Sequence, residues 1–284
     1  MGVSSHAPFF YHFWLLKIFN MKKILETAIT AAHLAGEFIQ KSAENLSLLN
    51  VEQKTLHDYV SEVDRGSEKI VVDQILATFP DHQILGEEYG SQGNEGAQWQ
   101  WVIDPLDGTT NFLRSLPHYA VSIGVLKDGV VQYGVVYDPA KKDLFVASKG
   151  EGATLNNVAI KVSSSDSIKG GLLATGVPFS GQNLDNIESF TNTMTDLLKC
   201  QTSGVRRLGA AALDLAYVAA GRYDGFWESN LKVWDIAAGV LIVEEAGGIV
   251  TDLSGGNDYL NNGDVLAAAK NVHQDMLLVC KKHY

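Results

Sequence analysis

Apolar residues at helical spacing open the regular pattern of the chain and predict an amphipathic helix over residues 21–45. The positions that share one face of this helix are Ile24, Ala28, Ala31, Ala32, Ala35, Phe38 and Ile39. A second helix is predicted to begin at Ser61, because Asp64 completes the pattern of a capping box ahead of an apolar run. Pro80 ends that helix, so the first part of the chain is predicted to be helical.

The middle of the chain changes to short apolar runs that are typical of strands. Residues 119–126 and 130–137 flank a Lys-Asp-Gly turn, which predicts a β-hairpin. Residues 99–103 and 144–147 predict two further short strands.

Beyond residue 170, predicted strands and helices alternate. The predicted strands cover residues 172–175, 223–228, 249–253 and 265–269, and the predicted helices cover 184–198, 210–220, 233–246 and 272–282. This pattern favours sheets that are covered by helices in layers. A soft subdomain boundary is predicted near residues 148–170, where glycine and serine concentrate.

The first 20 residues carry an aromatic run that fits no common targeting segment. Residues 7–19 read APFFYHFWLLKIF, which is shorter than the roughly 20 apolar residues that span a bilayer. The run has no basic leader and no Ala-x-Ala cleavage site, so it is a weak signal peptide. We predict that residues 1–20 are an extension, disordered or read from an upstream start codon, and that residues 21–284 form the folded domain. The alternative is an aromatic segment that docks on a partner or a membrane surface.

Composition and charge exclude several classes of function. The chain has 284 residues, 46% hydrophobic and 19% charged, which is typical of a globular protein with a full core. Its net charge of −11 argues against direct binding to nucleic acid or an anionic membrane. An anionic substrate remains compatible with this charge if a metal ion supplies a local positive charge. Cys200 and Cys280 form no Cys-x-x-Cys pair, which favours a reducing cytoplasm.

The strongest chemical signal lies at the end of an apolar strand. Asp104 and Asp107 stand three positions apart there, and Pro105 stiffens the link between them. Two carboxylates repel each other unless a cation joins them, and Mg²⁺ prefers oxygen ligands. Gly108 permits a sharp turn, after which backbone N–H groups can bind a phosphate if they open a helix. The structural alternative is an ordinary turn between two strands.

Each of three further acidic positions could have a purely structural role, but together they indicate a functional site. Glu87 follows a short apolar strand, Asp64 lies in the capping box, and Asp235 begins a helix whose small residues permit close packing. With Asp104 and Asp107, these acids place oxygen ligands at the ends of distant elements and predict a site for two or three divalent ions. The sequence has no zinc-ligand spacing, no phosphate-binding Gly-x-x-x-x-Gly-Lys loop and no Gly-x-Ser-x-Gly elbow.

Six motifs together resemble the signature of the inositol monophosphatase family, and residues 101–112 and 213–222 most resemble its bacterial SuhB branch. The six motifs are Gly86-Glu-Glu, Asp104-Pro-Leu-Asp-Gly-Thr, Gly150-Glu-Gly-Ala, Ala174-Thr-Gly-Val-Pro-Phe, Trp234-Asp-Ile-Ala-Ala-Gly and Glu245-Ala-Gly-Gly. The resemblance runs from about Met21 to the end of the sequence. It implies a layered α-β-α-β-α sandwich of mixed α and β class, dependence on Mg²⁺, sensitivity to lithium and a homodimer.

The resemblance also implies roles for individual residues. The implied metal ligands are Glu87, Asp104, Asp107, Asp235 and the carbonyl of Leu106. The implied substrate contacts are Gly108, Thr109, Arg206, Gly209, Ala210, Ala211, Glu228 and Asp235. Catalytic roles are implied for Glu87, Asp64 and Thr109. Ala210 stands where relatives often carry a hydroxyl, and Arg206 could equally serve a dimer interface.

The function expected from these observations is Mg²⁺-dependent hydrolysis of inositol 1-phosphate by an activated water. Another sugar phosphate, a fructose bisphosphate or a nucleotide phosphate is the alternative within enzymes. The SuhB resemblance implies a different class as well, in which the protein is an accessory factor of RNA polymerase and ribosomal RNA transcription complexes.

Overall fold

The computed structural model describes the backbone of residues 7–44, 46, 51–55, 58–178 and 184–284, and the side chains of residues 22–44, 46, 61–178 and 184–284. The helices are α1 (Ala7–Ala43), α2 (Glu62–Thr78), α3 (Thr109–Leu113), α4 (Ile187–Lys199), α5 (Ala211–Ala219), α6 (Val233–Glu245), α7 (Tyr259–Asn262) and α8 (Lys270–Cys280). The strands are β1 (Val51–Thr55), β2 (Asp58–Ser61), β3 (Gln83–Gly86), β4 (Gly90–Gly93), β5 (Trp99–Asp107), β6 (Ala120–Lys127), β7 (Val130–Asp138), β8 (Asp143–Ser148), β9 (Gly152–Leu155), β10 (Val158–Ala159), β11 (Leu172–Thr175), β12 (Gly204–Arg206), β13 (Gly225–Glu228), β14 (Ile249–Thr251) and β15 (Val265–Ala268).

Two sheets form the frame of the domain. The larger sheet has the strand order β10-β9-β8-β7-β6-β5-β3-β4, and the smaller sheet has the order β12-β11-β13-β15-β14. Strands β1 and β2 form a separate antiparallel pair. Within the larger sheet, β3 and β5 are parallel neighbours, so their carboxyl ends lie at the same edge. The acidic residues that follow these two strands are therefore brought together by sheet topology.

Three apolar clusters lie between successive layers. Helices α1 and α2 cover one face of the larger sheet, where Ile75 packs with Trp101. Helices α5 and α6 fill the space between the two sheets, where Leu215 packs with Phe226. Helices α4 and α8 cover the outer face of the smaller sheet, around Met276. This arrangement confirms the predicted α-β-α-β-α sandwich.

Glycine and alanine let α6 lie directly on the larger sheet. Gly124 on β6 and Gly134 on β7 are partners in register, and both face the helix. A Cβ atom at Gly134 would lie 2.5 Å from the carbonyl oxygen of Ala238, and one at Gly124 would lie 2.8 Å from the Cβ of Ala237. The small residues at the start of α6 therefore pack closely on another backbone, as their pattern predicted.

Most of the predicted elements are confirmed, including the helices that became α2, α5 and α6 and the hairpin of β6 and β7. The capping box is present as predicted, because Ser61 and Asp64 exchange side-chain and backbone hydrogen bonds at the start of α2. The expectation of a helical first part was wrong at β1 and β2. Strands β1 and β2 have five and four residues, most of them polar, so they show little of the apolar–polar alternation that predicts a strand.

The N-terminal segment differs from its predicted boundary. Helix α1 begins at Ala7, ahead of residue 21, whereas residues 1–6 lie outside the described part of the chain. The side chains of residues 7–21 are also outside it, so an extension over residues 1–20 stays a prediction. Among the described helices, none combines the length and apolar character that crossing a bilayer requires. The chain passes from the larger to the smaller sheet between Ala159 and Leu172.

The contact between α6 and the larger sheet predicts a large effect from one methyl group. We expect Gly134→Ala to lower the free energy of unfolding by about 1–3 kcal/mol, because the added Cβ meets a helix backbone that cannot rotate away. Chemical denaturation measures the change. Val130→Ala is the control on the same strand, since Val130 is exposed. Equal stability of the two variants would contradict the close packing described above.

Candidate active site

One cavity of about 670 Å³ lies where element ends from both sheets meet. Its acidic lining comes from four separate elements or their ends. These residues are Glu87 after β3, Asp104 and Asp107 on β5, Glu228 on β13 and Asp235 on α6. The structure thus brings together all five acids that the sequence placed at the metal or substrate.

The end of β5 carries two carboxylates because the strand departs from regular pairing there. The pairing of β5 with β6 shifts register between Asp104 and Asp107. The backbone N–H of Leu106 donates to Asp104 Oδ1 at 3.0 Å, which folds the turn over the first carboxylate. The backbone N–H of Ala212 donates to Asp107 Oδ2 at 2.8 Å. Asp107 therefore ties the larger sheet to the start of α5.

Backbone contacts also fix the acids at the other two element ends. The N–H of Lys232 donates to Asp235 Oδ2 at 2.6 Å, in the first turn of α6. The N–H of Glu87 donates to the carbonyl of Ile103 at 3.1 Å, which extends the parallel pairing of β3 and β5 by one residue. Main-chain contacts therefore fix one carboxylate oxygen each of Asp104, Asp107 and Asp235, and they fix the backbone of Glu87.

Glu68 is a supporting residue that the sequence reasoning missed. This buried α2 side chain accepts hydrogen bonds from the backbone N–H groups of Glu88 at 2.8 Å and Tyr89 at 3.0 Å. A Cβ atom at Gly86 would clash with the Glu68 carboxylate, which explains the glycine of the Gly-Glu-Glu motif. A signal was available: Glu68 lies at helical spacing from Val71 on the apolar face of its helix.

Burial and mutual repulsion disfavour the charged forms of these acids. Burial raises the pKa of Asp107 and of Asp235 to about 7, and neighbouring carboxylates add to both shifts. Burial, followed by the charge of Asp235, raises the pKa of Glu228 to about 8. The pKa of Asp104 is raised well above its ordinary value by burial and then by Glu87. A cation in the cavity would relieve these interactions.

The donor chemistry fits a hard divalent cation. The acids supply oxygen only, and they share one cavity. Within the described ranges, no group of three or more His, Cys, Asp or Glu side chains is arranged to hold a metal ion as it stands. Asp104, Asp107 and Asp235 each have one oxygen engaged by a backbone N–H. The case for a metal rests on the donor type and the repulsion, and ligation would need small side-chain movements.

Asp64 reaches the cavity through Thr109. Asp64 Oδ2 accepts the backbone N–H of Ser61 at 2.8 Å, and Asp64 Oδ1 lies 2.7 Å from the hydroxyl oxygen of Thr109. The same hydroxyl lies 3.1 Å from the carbonyl oxygen of Leu106. Burial raises the pKa of Asp64, although the hydrogen bonds from Ser61 and Thr109 oppose that shift. Asp64, the acidic member of the capping box of α2, therefore holds the hydroxyl of Thr109, which lines the cavity.

The turn after β5 requires glycine. Gly108 has a φ of 93°, which is left-handed backbone, and it precedes the short helix α3. Asn111 on α3 donates to the carbonyls of His118 and Leu208, both at 2.8 Å. This amide was not among the predicted site residues, and it fixes the position of the loop that contains Gly209.

The predicted substrate contacts divide into two groups. Those that line the cavity are Gly108, Thr109, Gly209, Ala210, Ala211, Glu228 and Asp235. Arg206 is exposed at the end of β12 and is absent from the described lining, whereas Arg207 is part of it. Side chains alternate along an extended chain, so the next residue points the other way. The structure therefore assigns the cavity position to Arg207.

Comparison with known proteins agrees with this architecture. The model of the inositol monophosphatase family matches residues 20–282. Nus factor SuhB from Pseudomonas aeruginosa is 46% identical over 265 residues, which cover 93% of this chain and 97% of that protein. The crystal structure of extragenic suppressor protein suhB from Bartonella henselae has a TM-score of 0.88 and 38% identity, covering 92% of this chain and 100% of that one. The inositol monophosphatase from Anabaena (Nostoc) sp. PCC 7120 has a TM-score of 0.80 and 37% identity, covering 93% of this chain and 98% of that one. The chain belongs to the inositol monophosphatase family.

Proposed function

We propose that this protein is a Mg²⁺-dependent phosphomonoesterase that hydrolyses inositol 1-phosphate to inositol and phosphate. Membership of the family supports a phosphatase. The observation that carries the proposal is the convergence of Glu87, Asp104, Asp107 and Asp235 on one cavity beside the Thr109 hydroxyl. Oxygen ligands next to a positioned hydroxyl are what metal-assisted displacement at phosphorus needs.

These four carboxylates and the Leu106 carbonyl would hold two or three Mg²⁺ ions. When bound, Mg²⁺ lowers the pKa of a coordinated water and offsets the charge that develops on the phosphate and the departing alcohol. The raised pKa values of Asp104, Asp107 and Asp235 support the assignment, because a cation favours their ionised forms.

Thr109 and Asp64 would orient the attacking water. The Thr109 hydroxyl has a single proton, and donating it to Asp64 leaves the oxygen free to accept a hydrogen bond from water. The backbone N–H groups at Gly108 and Thr109 would bind the phosphate where α3 begins. Positioning and charge stabilisation then carry the rate, with no covalent step on the protein.

The alcohol of the substrate would lie against Gly209, Ala210, Ala211 and Glu228. Ala210 offers no hydroxyl to it, and Arg207 would make the contact that the family resemblance implied for Arg206. Other sugar phosphates, a fructose bisphosphate and nucleotide phosphates contain the same reacting group, so a phosphate-release panel over these compounds identifies the preferred alcohol.

Removing one acid tests the metal assignment. We expect Asp107→Asn to lower Mg²⁺-dependent phosphate release from inositol 1-phosphate by about 100-fold or more, because the neutral amide is a poor ligand for Mg²⁺. Lithium is expected to inhibit the wild type. Thermal unfolding checks the fold of the variant, and Asp128→Asn in the exposed β6–β7 turn is the matched control. Near-native turnover in Asp107→Asn would show that the assignment is wrong.

Two substitutions at Thr109 separate its hydroxyl from its shape. Thr109→Val keeps the volume but loses the hydrogen bond to Asp64, so kcat is expected to fall by about 100-fold or more with little change in KM. Thr109→Ser keeps the hydroxyl and is expected to stay within about tenfold of the wild type. Steady-state kinetics measures both, and equal loss in the two variants would contradict a role for the hydroxyl.

A second candidate function is an accessory role in RNA polymerase and ribosomal RNA transcription complexes. The observation that favours it is the similarity to proteins named Nus factor SuhB. A net charge of −11 favours protein partners over direct contacts with RNA. We infer a cytoplasmic homodimer for both roles, as the family resemblance implies.

A catalytically inactive variant distinguishes the two candidate functions. We expect tagged wild-type protein and Asp107→Asn to copurify RNA polymerase subunits equally after nuclease treatment, because binding uses the outer surface and not the cavity. Immunoblotting for those subunits measures the capture. An unrelated acidic protein with the same tag is the control, and capture no greater than this control would contradict the accessory role.

A further inference from the structure

The lining of the active-site cavity contains two chemically different groups of residues. The acidic cluster is one group, and the phosphate would bind there. The lining also includes an apolar group from separate parts of the chain, contributed by Val177, Pro178, Phe190, Trp227 and Tyr284. The rings of Phe190 and Trp227 are stacked, with centroids 6.4 Å apart and an interplanar angle of 23°. None of these five residues takes part in the chemistry proposed above.

Tyr284 is held in place by contacts with two elements, and its neighbour His283 contacts a third. Its backbone N–H donates to the carbonyl of Cys280 at 3.0 Å, which continues the end of α8. The adjacent His283 ring nitrogen Nε2 lies 3.1 Å from Asp196 Oδ2 on α4. The phenol of Tyr284 is hydrogen-bonded to Ser229, the residue after β13. The ring is therefore held at the end of α8 and against the end of the strand that carries Glu228.

The Tyr284 side chain is also available to a ligand. The residue is 36% exposed and lines the cavity, whereas Trp227 in the same lining is fully buried. Burial and then the charges of nearby groups, including Glu228, raise its pKa to about 12, so the phenol is neutral at physiological pH. A neutral tyrosine presents an apolar ring with a polar tip. A cyclic polyol has the complementary character, with C–H groups on its faces and hydroxyls around its edge.

We propose that Tyr284 is a specificity-determining residue that packs against the ring of the departing alcohol and selects cyclic phosphate esters over acyclic ones. This inference rests on the proposed phosphatase function and adds a residue that the six sequence motifs do not contain. The Ser229 contact would hold the ring in place, and the acidic cluster would hold the phosphate. A short acyclic alcohol would make little contact with the Tyr284 ring.

Two phosphate esters that share the reacting group but differ in the alcohol test this role. For Tyr284→Ala, the KM for inositol 1-phosphate is expected to rise about tenfold, as for other losses of an apolar substrate contact. The KM for glycerol 2-phosphate and the inhibition constant of inorganic phosphate are expected to change less than about twofold, because neither ligand reaches the ring. Tyr284→Phe keeps the ring and should retain most of the preference. Leu278→Ala is the control, since Leu278 is 68% exposed on α8.

Thermal stabilisation by excess inositol 1-phosphate reports binding whether or not the ester is hydrolysed, so it separates this inference from the proposed function. Stabilisation of the wild type and Tyr284→Phe that is lost in Tyr284→Ala supports the inference, whether or not phosphate is released. If the wild type releases no phosphate from either ester, the proposed function fails on that result alone. Equal KM changes for the two esters, or equal stabilisation of wild type and Tyr284→Ala, would overturn the role of Tyr284.

Discussion

The central constraint on this structure is the repulsion between carboxylates that are buried at one site. Glu87, Asp104, Asp107 and Asp235 lie at one cavity, where burial and neighbouring carboxylates raise the pKa values of the three aspartates. The backbone must hold such carboxylates together, and a bound cation would offset their repulsion. The main-chain N–H groups of Leu106, Ala212 and Lys232 hold Asp104, Asp107 and Asp235 in this way.

The layered architecture explains why this holding is effective. Parallel pairing brings the ends of β3 and β5 to one edge, and α6 approaches the same edge because glycines in β6 and β7 let it lie on the sheet. The hydrogen bond from Ala212 to Asp107 joins α5 to that edge, while Asp64 joins α2 to the Thr109 hydroxyl. Helices α2, α5 and α6, which make these contacts, each bury an apolar face in the core. The close packing of the core therefore restricts movement at the site.

Much of this arrangement could be predicted from the sequence, because long apolar patterns and turn residues are local signals. For that reason, the sequence predicted the hairpin of β6 and β7, the capping box at Ser61 and the small-residue face of α6. Strands β1, β2 and β4 were not, since each has at most five residues and few apolar positions. Glu68 and Tyr284 were missed because their roles arise from contacts distant in sequence. Choosing Arg207 over Arg206 requires knowing where β12 ends, and boundaries are the least certain part of a sequence-based assignment.

Diffraction from crystals soaked in Mn²⁺ tests the central claim most directly, because manganese takes the same oxygen ligands as Mg²⁺ and gives an anomalous signal. The account predicts two or three anomalous peaks within the cavity, each within coordination distance of oxygens from Glu87, Asp104, Asp107 or Asp235. Peaks confined to the outer surface, with these carboxylates left in their hydrogen bonds to the backbone, would contradict it.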